Sequence, residues 1–435
     1  MSDQASVAGT DEAASRRWAT RRLGALWRHR EFRRLWGAQA VSELGSQVTL
    51  LALPLTALFA LRARPYEVAL LATAGSLPSL AFGIPAGVWI DRVRRRPVMI
   101  AADLGRATLL ASVPAAYGLG ALTLPHLYAV ALVNGTLSVL FEIASQAYLP
   151  SVVAPAQLLE ANAKFESSRV VAWAAGPGAG GGLVSLVTAP VALVADAASF
   201  VASAGLIASL SIREVRPEAA HGGPNSKRRD LREGARYVLR HTYLRPLLAA
   251  HALANLALGA VWAIVVVYAV RVLGLTAGLV GVALSLGQVG GFAGAVFAQR
   301  VARVAGVGPM VIGAFFLFGP ATLLLAVAPK AAAILFVSLG WALENLARAL
   351  YGVSAATVRQ ALVPHHLQAR AVGFTTTAGT GAFPLGTAVG GALAAGLGLR
   401  HAMLLAGLIS FLPFIAALAS PLRSLRRLPT GEHER

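Results

Sequence analysis

The chain has 435 residues, of which 56% are hydrophobic and only 13% are charged, and its mean hydropathy is +0.65. A soluble protein of this length needs a larger charged fraction to stay dissolved, so the composition excludes an ordinary soluble enzyme. The sequence contains no cysteine, which excludes disulfides and thiolate metal sites.

Apolar runs of about 20 residues, the length that crosses a bilayer core, recur along the whole chain. They predict an all-α membrane protein with 12 transmembrane helices. The predicted spans are residues 36–61, 68–90, 97–119, 125–149, 168–187, 191–212, 246–270, 277–299, 309–328, 331–362, 371–396 and 402–420.

The chain divides into five predicted segments. A basic N-terminal arm (1–35) precedes a first bundle (36–212), a polar linker (213–245) leads to a second bundle (246–420), and a short tail (421–435) follows. The arm is rich in arginine and lacks a short apolar core with a cleavage site, so we expect no cleavable signal peptide. The first span would then direct insertion.

The net charge of +19 would suggest nucleic-acid binding in a soluble chain, but here the basic residues alternate between the two sides of the predicted spans. Counted with the span edges, 31 of the 38 Lys and Arg residues lie on the side of the termini and 5 on the opposite side. This asymmetry predicts a multi-pass protein of the plasma (inner) membrane with both termini in the cytoplasm. It also argues against a nucleic-acid partner.

The linker has two predicted parts. Residues 221–225 contain Gly, Pro and Asn and read as a flexible loop. Residues 230–240 carry apolar side chains, including Val238 and Leu239, on one face of an otherwise charged helix. Such a helix is expected to lie at the cytoplasmic membrane surface.

Polar residues inside the spans are candidates for function, because an ionisable group in hydrocarbon usually faces a cavity or a partner. They follow helical spacing on the first, fourth, seventh and tenth spans. The candidates are Gln39, Glu43 and Gln47; Asn134 and Glu142; His251 and Asn255; and Glu344, Asn345 and Arg348.

Two acids in this set are candidate proton carriers. Glu43 and Glu142 could exchange a proton with each side if they face a cavity whose access alternates. A structural hydrogen bond to a neighbouring helix is the alternative for both. Glu344 and Arg348 have the spacing of an intrahelical ion pair, which is structural or takes part in binding.

Aromatic residues offer a second kind of candidate. Trp262 and Trp341 lie deep in their spans and could stack on a lipophilic substrate or simply pack in the core. Trp36 lies at the start of a span, where aromatic residues act as interface anchors.

The loop after the second span carries a glycine, an Asp-Arg pair four residues later, and then a basic cluster. The residues concerned are Gly87, Asp91, Arg92, Arg95 and Arg96. This order resembles the signature loop of the major facilitator superfamily, apart from Arg94, where that family usually has glycine. The resemblance implies that the loop packs against the second bundle and helps to hold a cytoplasmic gate, with Asp91 as partner of a helix N-terminus or an arginine. A plain positively charged loop is the alternative.

The fifth span contains glycines around a proline, at Gly176, Pro177, Gly181 and Gly182. This run is similar to the Gly-Pro motif of antiporters in the same superfamily. Small residues allow helices to approach closely, and proline frees a backbone carbonyl. Simple helix packing is the alternative interpretation.

Several further stretches, among them 42–45, 146–150 and 196–200, look like a bacterial subgroup of drug and siderophore exporters. The resemblance extends over nearly the whole chain. It implies two pseudo-symmetric six-helix bundles that rock around a midplane site, with the first, fourth, seventh and tenth spans lining the pathway. It also implies a monomer without a cofactor or a metal, in contact with a small-molecule substrate, protons and the lipid bilayer.

The function implied by the resemblance is proton-coupled efflux of small amphipathic molecules, such as drugs, antibiotics or siderophores. Proton-coupled uptake of a small metabolite by the same fold is the nearest alternative. A membrane-embedded enzyme for lipid-linked substrates would need large polar loops with clustered acids, whereas the longest predicted loop is about 33 residues and mainly basic. No phosphate-binding loop supports an ATP-driven pump.

Overall fold

A computed structural model describes residues 25–90, 92–212, 224–364 and 367–425, which form helices joined by short turns. The helices of the first part are α1 (Ala25–Arg28), α2 (Arg30–Phe59), α3 (Pro65–Ile90), α4 (Arg95–Gly118), α5 (Leu124–Val152), α6 (Leu158–Val187) and α7 (Ala189–Ala208). The remainder are α8 (Pro224–Arg240), α9 (Leu244–Arg271), α10 (Ala277–Ala305), α11 (Val307–Ala326), α12 (Ala333–Leu362), α13 (Gln368–Thr380), α14 (Ala382–Leu397), α15 (Leu399–Ile409) and α16 (Leu412–Leu418). We call α2–α7 the N-half and α9–α16 the C-half.

Eleven helical segments of the described chain are long and apolar enough to cross a membrane. Helix α3 is not among these eleven, but it has 26 residues, lies at the second predicted span and packs against α5 and α14. The chain therefore has a helix at every one of the predicted spans. The first begins earlier than predicted, at Arg30, where the ring of His29 caps the helix by accepting a hydrogen bond from the Phe32 backbone N–H.

The last two predicted spans are each present as one segment long enough to cross a membrane, but each contains a short interruption. Helix α13 ends at Thr380 and α14 begins at Ala382, two residues before Pro384. Helix α15 ends at Ile409 and α16 begins just before Pro413. Proline lacks the N–H that would continue the helical hydrogen bonds, and its ring crowds the preceding turn.

The linker helix α8 differs from its prediction in where it begins and in which side chains are buried. It begins at Pro224, so Pro224 and Asn225 are helical rather than part of a loop, while residues 221–223 lie outside the described chain. Proline is well suited to the first helical position. Val238 is fully buried against the C-half, but Leu239, expected on the same apolar face, is 47% exposed.

Specific contacts fix α8 on the C-half. The Tyr237 hydroxyl donates to the Leu362 carbonyl (2.6 Å), and Glu233 pairs with Arg370. A side chain at Gly234 would collide with the Arg370 backbone, so the two helices touch there. The described part of the linker is thus packed against the C-terminal end of α12 and the N-terminal end of α13.

The two halves share a core at one end of the molecule only. We call the end where α2 begins and α16 ends the terminal face, and the opposite end the far face. At the far face one apolar core joins the halves, with Leu55 and Leu193 packed in the same cluster as Ile264 and Leu273. At the terminal face the described N-half and C-half residues form two separate cores. A cleft between the halves therefore opens at the terminal face.

Small residues on α6 and α10 close the far side of this cleft. A Cβ atom at Gly281 would lie 2.1 Å from the Pro177 carbonyl oxygen, so only glycine permits this approach. The Gly178 N–H donates to Ser285 Oγ (2.9 Å), and the Gly278 N–H donates to Ser185 Oγ (3.0 Å). The two bonds are reciprocal, as expected for helices related by internal pseudo-symmetry.

Two further hydrogen bonds join the halves toward the far face. Arg271 Nη2 donates to the Ala63 carbonyl (2.8 Å), and Thr73 Oγ1 donates to Thr387 Oγ1 (3.0 Å). The first connects the end of α9 to the turn between α2 and α3, and the second connects α3 to α14. Together with the α6–α10 contact, these bonds hold the far face shut.

Candidate functional site

A central cavity of about 380 Å³ lies between the two halves at mid-depth. Its walls come from α2, α3 and α5 on one side and from α9, α10 and α14 on the other. Most of the lining is aliphatic, with the rings of Trp262 and Phe383 from the C-half. Polar groups occur mainly where Asn134, Ser138 and Glu142 of α5 form one edge. Such a cavity suits a lipophilic molecule with a small polar end.

A second cavity, which we call the N-half cavity, has a volume of about 940 Å³ and lies among α2, α5 and α6. Its wall extends from Ser138 to Pro150 and Leu158 at the terminal face. Ser138 and Glu142 line both cavities, so the two adjoin there. They form one route from mid-depth to the terminal face.

The polar stripe predicted on α2 divides between the cavity and a helix interface. Gln39 and Glu43 line the N-half cavity, and the Gln39 amide donates to Ser145 Oγ. Gln47 instead is only 3% exposed and packs against α6, where a Cβ at Gly176 would lie 2.3 Å from Gln47 Cγ. The spacing i, i+4, i+8 drifts by about 40° per step, which carries Gln47 away from the opening.

The polar stripe on α5 faces the route along its length. Asn134 lines the central cavity, and Glu142 is exposed where the cavities adjoin. Gln146 Nε2 donates to Glu142 Oε1 (3.3 Å), one turn further along the helix. Glu142 has no ion-pair partner among the described residues.

Trp173 of α6 is a site residue that the sequence did not indicate. Its indole Nε1 donates to Glu43 Oε1 (3.0 Å) across the N-half cavity. Nearby Arg169 pairs with Glu166 at 2.7 Å within the same helix. Trp173 stands alone in an apolar and glycine-rich run, so its partner on α2 could not be inferred from spacing along α6.

A buried ion pair forms the back wall of the N-half cavity. Arg106 pairs with Asp103, which is 0% exposed, and its guanidinium lies between the rings of Phe141 (4.5 Å) and Phe200 (4.1 Å). Arg106 Nη1 also approaches Ser138 Oγ at 3.5 Å. Arg106 faces the cavity because α4 packs this side against α5 and α7.

Asp196 connects α7 to α2 behind the same wall. It accepts hydrogen bonds from Thr49 Oγ1 and Ser199 Oγ and is buried. Gly45 permits this contact, since a Cβ there would lie 2.5 Å from Asp196 Oδ1. The position fits a structural role in holding the two helices together.

The polar candidates of the C-half lie apart from the two cavities. His251 stacks on Tyr351 (5.2 Å between ring centroids, 21°), and the Asn255 amide donates to the His251 carbonyl (3.0 Å). Arg348 pairs with Glu344 at 3.3 Å, with Glu344 buried. Neither ion-pair residue lines the central or the N-half cavity. Asn345 donates to the Trp341 carbonyl of its own helix (2.9 Å).

The two deep tryptophans stack on each other. Their ring centroids are 5.4 Å apart and the rings are inclined by 30°. Trp262 lines the central cavity, whereas Trp341 is buried behind it and packs on Gly287. Trp262 can therefore contact a bound molecule, and Trp341 supports it from behind.

Trp36, expected as an interface anchor, makes its contacts within the N-half. Its Nε1 donates to Ser168 Oγ of α6 (2.6 Å), and its ring lies edge-on against Trp27 (4.8 Å). Trp27 in turn lies under the ammonium of Lys164 (4.6 Å). Trp36 thus packs at the terminal face of the helix bundle.

The loop of the signature motif makes its observed contacts inside the N-half. Arg96 donates from Nε to the Ile207 carbonyl (3.1 Å) and from Nη2 to the Ala208 carbonyl. These are the last carbonyls of α7, which a positive charge stabilises. Arg95 begins α4, and Arg92 is exposed. Gly87 lies in the last turn of α3 without a close neighbour, while Asp91 lies outside the described residues. The gate role of the loop stays a prediction.

The antiporter-like motif lies at the contact between the halves. Pro177 and Gly181 touch α10, and Gly176 touches α2. Gly182 faces open space, since nothing lies within 4 Å of the position of a Cβ there. Three of the four predicted motif residues thus make close helix contacts.

Comparison with known proteins identifies the fold and a family. The family described as transmembrane secretion effector matches residues 24–432. An uncharacterized transporter of the major facilitator type, YfiS of Bacillus subtilis, is 27% identical over 183 residues, which cover 40% of this chain and only 40% of that relative.

Solved structures share the backbone arrangement at low identity. A mutant of the nucleoside transporter NupG aligns with a TM-score of 0.73 at 12% identity and covers 89% of this chain and 99% of that one. A bacterial homologue of the iron transporter ferroportin in its inward-facing state has a TM-score of 0.69 at 17% identity, covering 90% and 99%. An outward-facing structure of such a homologue reaches 0.52 at 16% identity, covering 89% and 99%. The predicted all-helical, two-bundle fold is confirmed.

Proposed function

Because this chain belongs to the major facilitator superfamily of secondary transporters, within the transmembrane secretion effector family, we propose that it exports small amphipathic molecules in exchange for protons. The observation that carries this proposal is the route formed by the two cavities. It joins an apolar pocket between the halves to the terminal face and passes both Glu43 and Glu142.

The side on which the route opens is the side from which an exporter takes up its substrate. The basic residues concentrate on the side of the termini, which favours a cytoplasmic terminal face. A cleft that opens there can take up its substrate from the cytoplasm or from the inner leaflet. Greater likeness to the inward-facing than to the outward-facing ferroportin homologue agrees with this state. Export then requires the far-face contacts to open while the terminal face closes.

The coupling ion is proposed from the two acids on the route. Glu43 and Glu142 line cavities that reach the terminal face, and neither has an ion-pair partner among the described residues. A carboxyl group in such a place can gain a proton on one side and lose it on the other. The matching residues of the C-half are already paired or stacked, which favours the N-half as the site of coupling.

Uptake of a small metabolite by the same fold is the alternative, whereas an enzymatic function is excluded by the family. A resistance panel separates export from uptake. The chain is expressed in a bacterial strain that lacks its own exporters and is challenged with amphipathic drugs and siderophores.

Raised resistance together with lower cellular accumulation of the same compound supports export. The variant Trp262→Ala tests the role of the central cavity, because it is expected to lose resistance to compounds that occupy this cavity. Greater sensitivity and greater accumulation would favour uptake and contradict the export proposal.

A further inference from the structure

The charges around the N-half cavity do not balance. The acids on its wall are Glu43, Glu142 and Glu166, and the cations are Arg106 and Arg169. Each cation has a carboxylate of its own, since Arg169 pairs with Glu166 and Arg106 with Asp103 behind the wall. Arg169 is close enough to attract Glu43 and Glu142 electrostatically, but among the described residues neither acid has a cation within ion-pair distance. The wall therefore carries more negative than positive charge.

Two neutral donor groups of the same wall already serve these acids. The Trp173 indole and the Gln146 amide each give one hydrogen bond to an acid. Arg106 Nε has no partner, but its guanidinium is held by Asp103 and enclosed by two phenylalanine rings. An additional positive group with N–H donors would balance the negative charge of Glu43 and Glu142.

We propose that the route binds a lipophilic amine, with its ammonium group between Glu43 and Glu142 and its apolar body in the central cavity. This rests on the proposed transport function and names its substrate class. The aliphatic and aromatic lining beside Trp262 accommodates the body, and the Trp173 ring borders the ammonium position. Since the same two acids are the candidate proton carriers, amine and proton compete for them, which links release of one to binding of the other.

Three probes of one aromatic scaffold test the charge preference. Naphthylmethylammonium, naphthylmethanol and naphthylacetate differ in charge but little in shape. Their binding to the full chain in phosphatidylcholine nanodiscs is measured by equilibrium dialysis at about pH 7.5, where an alkylammonium keeps its proton. Partition into empty nanodiscs is subtracted. We expect the ammonium to bind about tenfold more tightly than the alcohol, and the carboxylate to bind most weakly.

Variants assign that preference to the two acids. Glu43→Gln/Glu142→Gln should remove the advantage of the ammonium over the alcohol, and each single substitution should reduce it. Glu160→Gln is the matched control, because Glu160 lies on α6 but does not line either cavity. It should keep the advantage. Thermal unfolding of each variant checks that the fold is intact, and the single variants keep the test valid if the double variant unfolds.

The proposal is overturned if the alcohol or the carboxylate binds as tightly as the ammonium, if none of the three binds, or if the double variant keeps the preference. Failure of the proposed function has a different signature. Amine binding without any flux driven by a pH gradient would reject proton-coupled export and leave the amine site standing. Flux of the carboxylate driven by a pH gradient would reject the amine site and leave proton-coupled transport standing.

Discussion

The indole Nε1 of Trp173 donates a 3.0 Å hydrogen bond to Glu43 Oε1, which joins α6 to α2 across the N-half cavity. Trp173 lies four residues before Pro177, on the helix that also forms the contact with the C-half. A rearrangement of α6 during transport would therefore alter the surroundings of Glu43. This contact would link opening of the far face to the proposed proton exchange at Glu43.

Trp173→Phe tests that link, because it keeps an aromatic ring and removes the N–H. We expect about a tenfold loss of proton-driven transport, since a hydrogen bond to a charged group contributes about 1.5 kcal/mol or more. Initial rates in membrane vesicles measure it. Trp27→Phe is the control, because Trp27 lies outside both cavities. Equal rates for Trp173→Phe and the parent chain would remove the indole from the mechanism.

The reciprocal bonds between α6 and α10 predict a shift in conformation. Ser185→Ala/Ser285→Ala removes both hydrogen bonds from the far-face contact, each worth about 1 kcal/mol. We expect the far-face-open population to rise by at least about fivefold. Spin labels at Phe59→Cys and Leu335→Cys report this as a longer distance, and the native chain has no cysteine to interfere.

The control for this shift is Ser151→Ala, whose hydroxyl only bonds to the Tyr148 carbonyl of its own helix. It should leave the label distances unchanged. An unaltered distance distribution in the Ser185→Ala/Ser285→Ala variant would mean that these serines do not hold the far face shut.

The signature loop predicts a strong effect at a single acid. Asp91→Asn should reduce transport at least about tenfold while the amount of inserted protein stays the same, because the gate role needs the negative charge. Transport rate per inserted molecule is the measurement. Flux at the parent level would exclude Asp91 from the gate.

The charge asymmetry predicts which residues face the cytoplasm. Single cysteines at Arg94 and at Leu119, which is 83% exposed, mark the terminal and far faces. A membrane-impermeant maleimide applied to intact cells should label Leu119→Cys, and should label Arg94→Cys only after permeabilisation. Labelling of Arg94→Cys in intact cells would invert the topology and with it the proposed direction.

The sequence predicts the number and length of helices well, because span length follows bilayer thickness and is local along the chain. It also indicates the acids of the route, since a charged residue within an apolar run is conspicuous. Glu43 and Glu142 both line the N-half cavity. Gln47 does not, because small angular steps along α2 turn it toward Gly176.

Contacts between distant segments were beyond sequence reasoning. Trp173 and Glu43 are separated by 130 residues, and Arg106 reaches the cavity only through the packing of α4 on α5 and α7. Spacing along one helix carries no information about such partners. Likewise, the break at Gly381 follows from Pro384 but reads as ordinary small-residue packing in the sequence.

Accumulation of a substrate by inverted membrane vesicles under an imposed pH gradient tests the central claim most directly. With an acidic interior, vesicles that contain the parent chain should accumulate a compound from the resistance panel above the level of vesicles without it. A proton ionophore should abolish the difference, and Glu142→Gln should make the residual rate insensitive to pH. Accumulation that is the same with and without the gradient, or an unchanged pH profile in Glu142→Gln, would contradict proton exchange along this route.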